Sequence, residues 1–164
     1  MLFYFENDEN WKKAKEELLS WVGTPYKHMG RVKGRGVDCN MFIGQSLVNL
    51  GILTDLNYEY YPKDWWEHTD DQIILFYIEK HRKLLKEGFD FYQVNFPNEK
   101  LLRGDYLGFA VLNSKGIVNH SGILLDNNTF IHASIGKGVR IDELNDYWLK
   151  HLKIVFRLIY KQGV

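Results

Sequence analysis

The chain has 164 residues, 45% of them hydrophobic and 15% aromatic, which is enough to bury one proper core as a single domain. Lysine plus arginine equal aspartate plus glutamate at 21 each, so no basic field is available to hold nucleic acid or an anionic membrane. The one cysteine excludes an internal disulfide, and no run of eighteen apolar residues provides a membrane span.

The opening "MLFYFENDENWKKAKEELLSW" places acidic residues where an export signal would continue its apolar stretch. The expectation is a soluble protein made in the cytoplasm without a recognisable export signal. Trp11, Ala14, Leu18 and Val22 follow helical spacing and predict a first helix from about Asn10 to Val22, ended by Gly23, Thr24 and Pro25. A glycine-bearing loop runs from Tyr26 to Val37. In "GRGVDCNMFIGQSLVNLG", Asp38 is the natural N-cap of a second helix, Phe42, Ile43, Ser46, Leu47 and Leu50 form one face, and Gly51 stops it. Cys39 therefore lies in the first helical turn.

Thr69 and Gln72 read as a capping box that opens a third helix to about Glu87, with Gly88 behind it. Beyond Pro97 the period shortens. "DYLGFAVL", "IVNHSGILL", "TFIHAS" and "LKIVFRLIY" are rich in β-branched and aromatic residues and are separated by turn formers, which predicts neighbouring antiparallel strands. Helices followed by strands point to an α+β domain with the cysteine helix laid against one face of the sheet. No repeat or flexible linker divides the chain, so residues 1–164 are expected to form one domain.

A lone cysteine is most often a small buried hydrophobe. The start of a helix changes that reading, because unpaired N–H groups and the positive end of the macrodipole favour a thiolate and can serve an oxyanion. A thiolate nucleophile needs a proton acceptor and a group to hold that acceptor. His120 and His132 lie in two strands joined at Asp126, Asn127 and Asn128. With a three-residue loop Leu125 pairs with Thr129, and the two histidines become diagonal neighbours on one face, while a two-residue loop would separate them. A zinc site would need further ligands; no second cysteine and no His-Glu-x-x-His is present, so neither metal nor cofactor is expected. The glycines at 30, 34 and 36 lack the Gly-Lys-Ser/Thr of a phosphate loop. Tyr58, Tyr60, Tyr61, Trp65 and Trp66 read as core aromatics, and His28, His68, His81 and His151 as surface or helix-end residues.

Taken in order, "GTPYKHMG", "GVDCNMFIG", "RGDYLGF", "NHSGILL" and "FIHAS" resemble the NlpC-type cell-wall peptidases, papain-like cysteine enzymes that cut the peptide stems of peptidoglycan. The resemblance covers most of the chain and implies a papain-like NlpC-type fold with an insertion over about 54–100. It implies Cys39 as nucleophile, His120 as general base and acid, and His132 as the group orienting His120. It also implies that Tyr26 borders the site and that Asp38 helps to hold substrate. Asn40 and Met41 depart from the Ser and Gly common after the nucleophile.

"YYPKDWWEHTDDQ" and the closing "KIVFRLIY" resemble a phage-encoded branch of the family, which implies phage tail proteins as partners and delivery to the cell wall by a virion or by lysis. The expected substrate is a peptidoglycan stem peptide, cut between D-glutamate and the diamino acid. Two other uses of the same residues are an acyltransferase or amidase acting on a non-wall substrate, and a non-catalytic module of a phage tail.

Overall fold

In the computed structural model, which describes residues 1–161, helix α1 spans Asp8–Leu19. It begins earlier than the apolar spacing implies because Asn7 is the cap, its side-chain oxygen accepting the Glu9 and Asn10 N–H groups at 3.0 Å each. Two short strands, β1 (Arg31–Val32) and β2 (Gly36–Val37), close the glycine loop as a small hairpin. Helix α2 follows at Cys39–Asn49, capped by Asp38 as its sequence predicts, and ends where Gly51 takes φ +72°.

A single turn that the sequence reading did not expect, α3 at Trp65–His68, precedes Thr69, and the expected third helix is the shorter α4 at Ile73–Arg82. No capping box forms. Thr69 Oγ1 accepts from the Asp71 N–H, while the Gln72 side chain accepts the Val118 N–H at 3.0 Å, so a long-range partner has claimed the residue that local spacing assigns to the cap. The chain also leaves the helix before Glu87. Leu84 O accepts the Thr54 N–H and the Lys86 N–H reaches Ile52 O, pinning this segment beside the end of α2.

The strands are β3 (Phe89–Gln93), β4 (Tyr106–Phe109), β5 (His120–Leu124), β6 (Thr129–Ser134), β7 (Gly138–Glu143) and β8 (Leu152–Tyr160). They form one antiparallel sheet in the order β3-β8-β4-β5-β6-β7. A last helix, α5 (Asp146–His151), precedes β8 and is capped by Asn145. The α+β architecture matches the expectation, with β3, β7 and α5 as additions.

Cys39, Phe42 and Ile43 of α2 pack with Ile123, Ile131, Ala133 and Leu158 on one face of the sheet. Phe109, Leu124, Phe130, Leu144 and Val155 form a second cluster. Tyr61, Trp65, Ile74 and Tyr77 of the 54–100 segment close a third over Ile117 and Val118. Tyr61 and Trp65 are buried as core aromatics, whereas Tyr60 is 80% exposed. His81 corrects the surface reading: it is buried, with Nδ1 at 2.7 Å from Tyr77 O and Nε2 accepting the Asn57 N–H. Desolvation lowers its pKa, which keeps the ring neutral as that acceptor role requires.

The "RGD" stretch has a structural explanation. Gly104 takes φ +83° and lets the Phe5 ring approach to where a Cβ would stand 2.2 Å away. Asp105 receives Arg157 in a bidentate pair at 2.7 Å on each oxygen, and both residues are buried. Among the described residues no helix is long and apolar enough to cross a membrane.

Candidate active site

The strand pair carrying the histidines has the register that a three-residue loop imposes. Ile123 pairs with Ile131, Leu124 with Phe130, and the Leu125 N–H reaches Thr129 O at 2.7 Å. His120 and His132 consequently project from the same face, and His120 Nε2 lies 2.7 Å from His132 Nδ1. Gly122 makes room between them: a Cβ there would lie 2.7 Å from Phe130 Cδ2 and 3.3 Å from His132 Cβ.

The row of side chains continues past the two histidines. His132 Nε2 lies 2.8 Å from Asp142 Oδ2, and Arg140 donates to Asp142 Oδ1 through Nε at 2.9 Å, with its Nη2 2.6 Å from the same oxygen. Asp142 and Arg140 are neighbours on one face of β7, with Arg140 directly opposite His132. Trp148 of α5 covers the pair, its ring centroid 5.6 Å from that of His120 and 5.3 Å from that of His132. Sequence reasoning missed Asp142, Arg140 and Trp148. The only available signal for the first two was the alternation in "GVRIDE".

Cys39 is buried at the start of α2. Ser121, the residue after His120, lies beside the Cys39 side chain, and its hydroxyl donates to Asn40 Oδ1 at 3.2 Å. The first turn of α2 thus sits at the end of the sheet where β5 begins, which is also where His120 stands. Among the described residues no hydrogen bond joins the sulfur directly to the His120 ring.

Burial, aided by the Asp38 charge, pushes the Cys39 thiol up to about 12. Burial beside His132 pushes His120 down to about 3. At neutral pH the resting groups are therefore a thiol and a neutral imidazole rather than an ion pair.

Asp38 has its oxygens fully engaged. Oδ1 accepts the Asn40 and Met41 N–H groups at 3.1 and 2.8 Å, and Oδ2 accepts the Met29 N–H and the Tyr61 hydroxyl at 2.8 Å each. Two of the first-turn donors that could have served an oxyanion are consequently spent on the cap. Tyr61 is a further residue that sequence reasoning left in the core without a role. Tyr26 bridges to Val37 beside this turn, and burial together with the Cys39 and Asp38 charges raises its pKa.

The NlpC/P60 family description matches residues 23–157, a span that takes in Tyr26, Cys39, His120 and His132. The chain belongs to the NlpC/P60 family.

It is 31% identical over 137 residues to the probable endopeptidase NlpC of Escherichia coli strain K12, an alignment covering 83% of this chain and 70% of that protein. It is similar in fold to an NLP/P60-family lipoprotein-like structure from Staphylococcus aureus, with TM-score 0.59 and 22% identity over 94% of this chain and 43% of the other. The NlpC/p60 domain of the peptidoglycan hydrolase SagA aligns with TM-score 0.50 and 17% identity over 88% of this chain and 95% of that domain. The chain thus spans under half of the S. aureus structure and nearly all of the isolated SagA domain. These neighbours share the papain-like NlpC/P60 fold expected from the sequence.

Proposed function

We propose that this NlpC/P60 domain is a cysteine hydrolase of peptidoglycan stem peptides, with Cys39 as nucleophile, His120 as general base and acid, and His132 as the residue that orients His120. The observation carrying this reading is the 2.7 Å contact between the two imidazoles at the end of the sheet where the first turn of α2 begins. The substrate class is supported by family membership and by the likeness to a domain described as belonging to a peptidoglycan hydrolase.

Catalysis begins when substrate brings the thiol and ring into reach, a contact that often tightens only in the substrate complex. His120 takes the thiol proton as sulfur attacks the amide carbonyl carbon, giving a tetrahedral oxyanion. The Cys39 N–H, the first-turn donor that Asp38 does not use, faces this charge with Tyr26 bordering the site. The His120 imidazolium then protonates the leaving amine as the C–N bond breaks. Water, deprotonated by His120, releases the acyl group and restores the thiol. No step uses a metal.

Asp38 holds the first turn, and it can contact substrate only if Tyr61 gives up its hydrogen bond. The bond cut is D-glutamyl to diamino acid, and the likeness of "YYPKDWWEHTDDQ" to the phage branch supports a phage or prophage origin with tail proteins as partners.

Digestion of defined muropeptides by the wild type and Cys39→Ala, with products weighed by mass spectrometry, tests the assignment. The expected result is a new amino terminus on the diamino acid in the wild-type digest alone. Equal cleavage by Cys39→Ala would overturn it, and an alkylation-reactive Cys39 with intact muropeptides would point to an acyl donor outside the wall.

A further inference from the structure

Each member of the row Arg140, Asp142, His132 and His120 has a fixed hydrogen-bond role, and those roles determine where the protons sit. An ionised carboxylate can only accept. Arg140 bonds Asp142 Oδ1 while Oδ2 faces His132 Nε2 at 2.8 Å, so His132 must carry its proton on Nε2. A neutral imidazole with its proton on Nε2 has a lone pair on Nδ1, and His132 Nδ1 meets His120 Nε2 at 2.7 Å. The proton of that contact therefore belongs to His120 Nε2, which leaves the lone pair on His120 Nδ1. A base ready to accept the thiol proton needs that tautomer. The opposite arrangement would turn Nδ1 into a donor and leave the base unusable.

We infer that Asp142, clamped by Arg140, is a positioning residue that sets the tautomers of both histidines and so presents the His120 Nδ1 lone pair for catalysis. The inference rests on the proposed roles of Cys39 and His120. It adds two residues of β7, an edge strand, that touch neither substrate nor sulfur. Trp148 packs against both rings and holds them in this alignment. Arg140 keeps Asp142 charged, and the Asp142 carboxyl is accordingly held below its ordinary value despite the opposing effect of burial, by His132 and Arg140 together.

The substitution Asp142→Asn makes a specific prediction because Arg140 can only donate. Arg140 will select the oxygen of the introduced amide and turn the amide NH2 group towards His132 Nε2. Both imidazole protons must then move to Nδ1. The wild type, Asp142→Asn, Asp142→Ala and the double variant Arg140→Met with Asp142→Asn are compared as full chains by imidazole ¹⁵N chemical shifts at neutral pH and by kcat and KM on a defined stem peptide.

In the wild type both Nδ1 atoms should be unprotonated. Asp142→Asn should show both protonated, with kcat reduced on the order of 10²- to 10⁴-fold and KM little changed. Asp142→Ala, which imposes no tautomer, should lose less. Removing Arg140 from the Asp142→Asn variant should restore part of the rate, since the amide is then free to present its oxygen. Unaltered tautomers in Asp142→Asn, or equal losses in Asp142→Asn and Asp142→Ala, would overturn the inference. Retained hydrolysis by Cys39→Ala would instead defeat the proposed function and leave the tautomer readout standing.

Discussion

Asp38 is the side chain on which several local requirements converge. Four donors bind its two oxygens: two N–H groups of the helix start, one of the preceding loop and the Tyr61 hydroxyl. The last of these reaches in from the 54–100 segment, so Tyr61→Phe should remove one hydrogen bond to a buried carboxylate and lower stability by about 1–3 kcal/mol, read from the urea midpoint. An unmoved midpoint would show that the contact contributes nothing. Asp38 also acts on the thiol. Its charge is the second cause, after burial, of the raised Cys39 value, so Asp38→Asn should move the thiolate titration, followed by ultraviolet absorbance, to lower pH.

The positions of Cys39, His120 and His132 are legible because each rests on a local rule: a capped helix start, and a loop length that fixes which face a strand residue takes. Asp142 and Tyr61 are not. Their importance lies in partners ten or more residues away, and an acidic residue in a polar strand or a tyrosine among aromatics carries no local mark of it.

The same division appears among the elements. The central strands β4, β5, β6 and β8 were found from their apolar runs, while β3 and β7 are the two edges of the sheet. An edge strand is paired on one side only and keeps polar residues, as "FDFYQ" and "GVRIDE" do, so its pattern merges with that of loops. Helix α4 was placed correctly at its centre but began and ended on tertiary contacts, since Gln72 caps nothing and instead holds the Val118 N–H.

Two substitutions test how elements are joined. Arg157→Met should leave Asp105 buried and unpaired between β4 and β8, at a cost of about 3–5 kcal/mol in urea unfolding. Gly122→Ala should press its methyl on Phe130 and on the neighbourhood of His132, lowering stability by about 1–3 kcal/mol and lengthening the contact between the histidines. Wild-type stability in either variant would contradict the packing described.

At the scale of the whole molecule, the buried titratable groups bound the pH range in which the fold is most stable. His120 is depressed from 6.5 to about 3 and His132 is lowered in the same direction. Between those limits the unfolded chain binds protons that the folded chain refuses, so stability rises with pH from about 3 to 6.5. The lowered Asp142 acts in the same sense, its contribution being lost as pH falls through the folded value. Cys39 is raised from 9.0 to about 12, so above 9.0 the folded chain keeps a proton that the unfolded chain has lost, and stability falls towards 12. Urea midpoints across this range should form a plateau between 6.5 and 9.0. A maximum near pH ~4 would contradict the burial of the histidine pair.

Under the proposed function Cys39 and His120 act as one catalytic unit although they come from different elements. The most direct test is kcat/KM on a defined stem peptide for Cys39→Ser, His120→Ala and the double variant. Residues that share one step lose their effect together, so the double variant should be no slower than the slower single variant. Losses that multiply in the double variant would show two independent contributions and contradict the account.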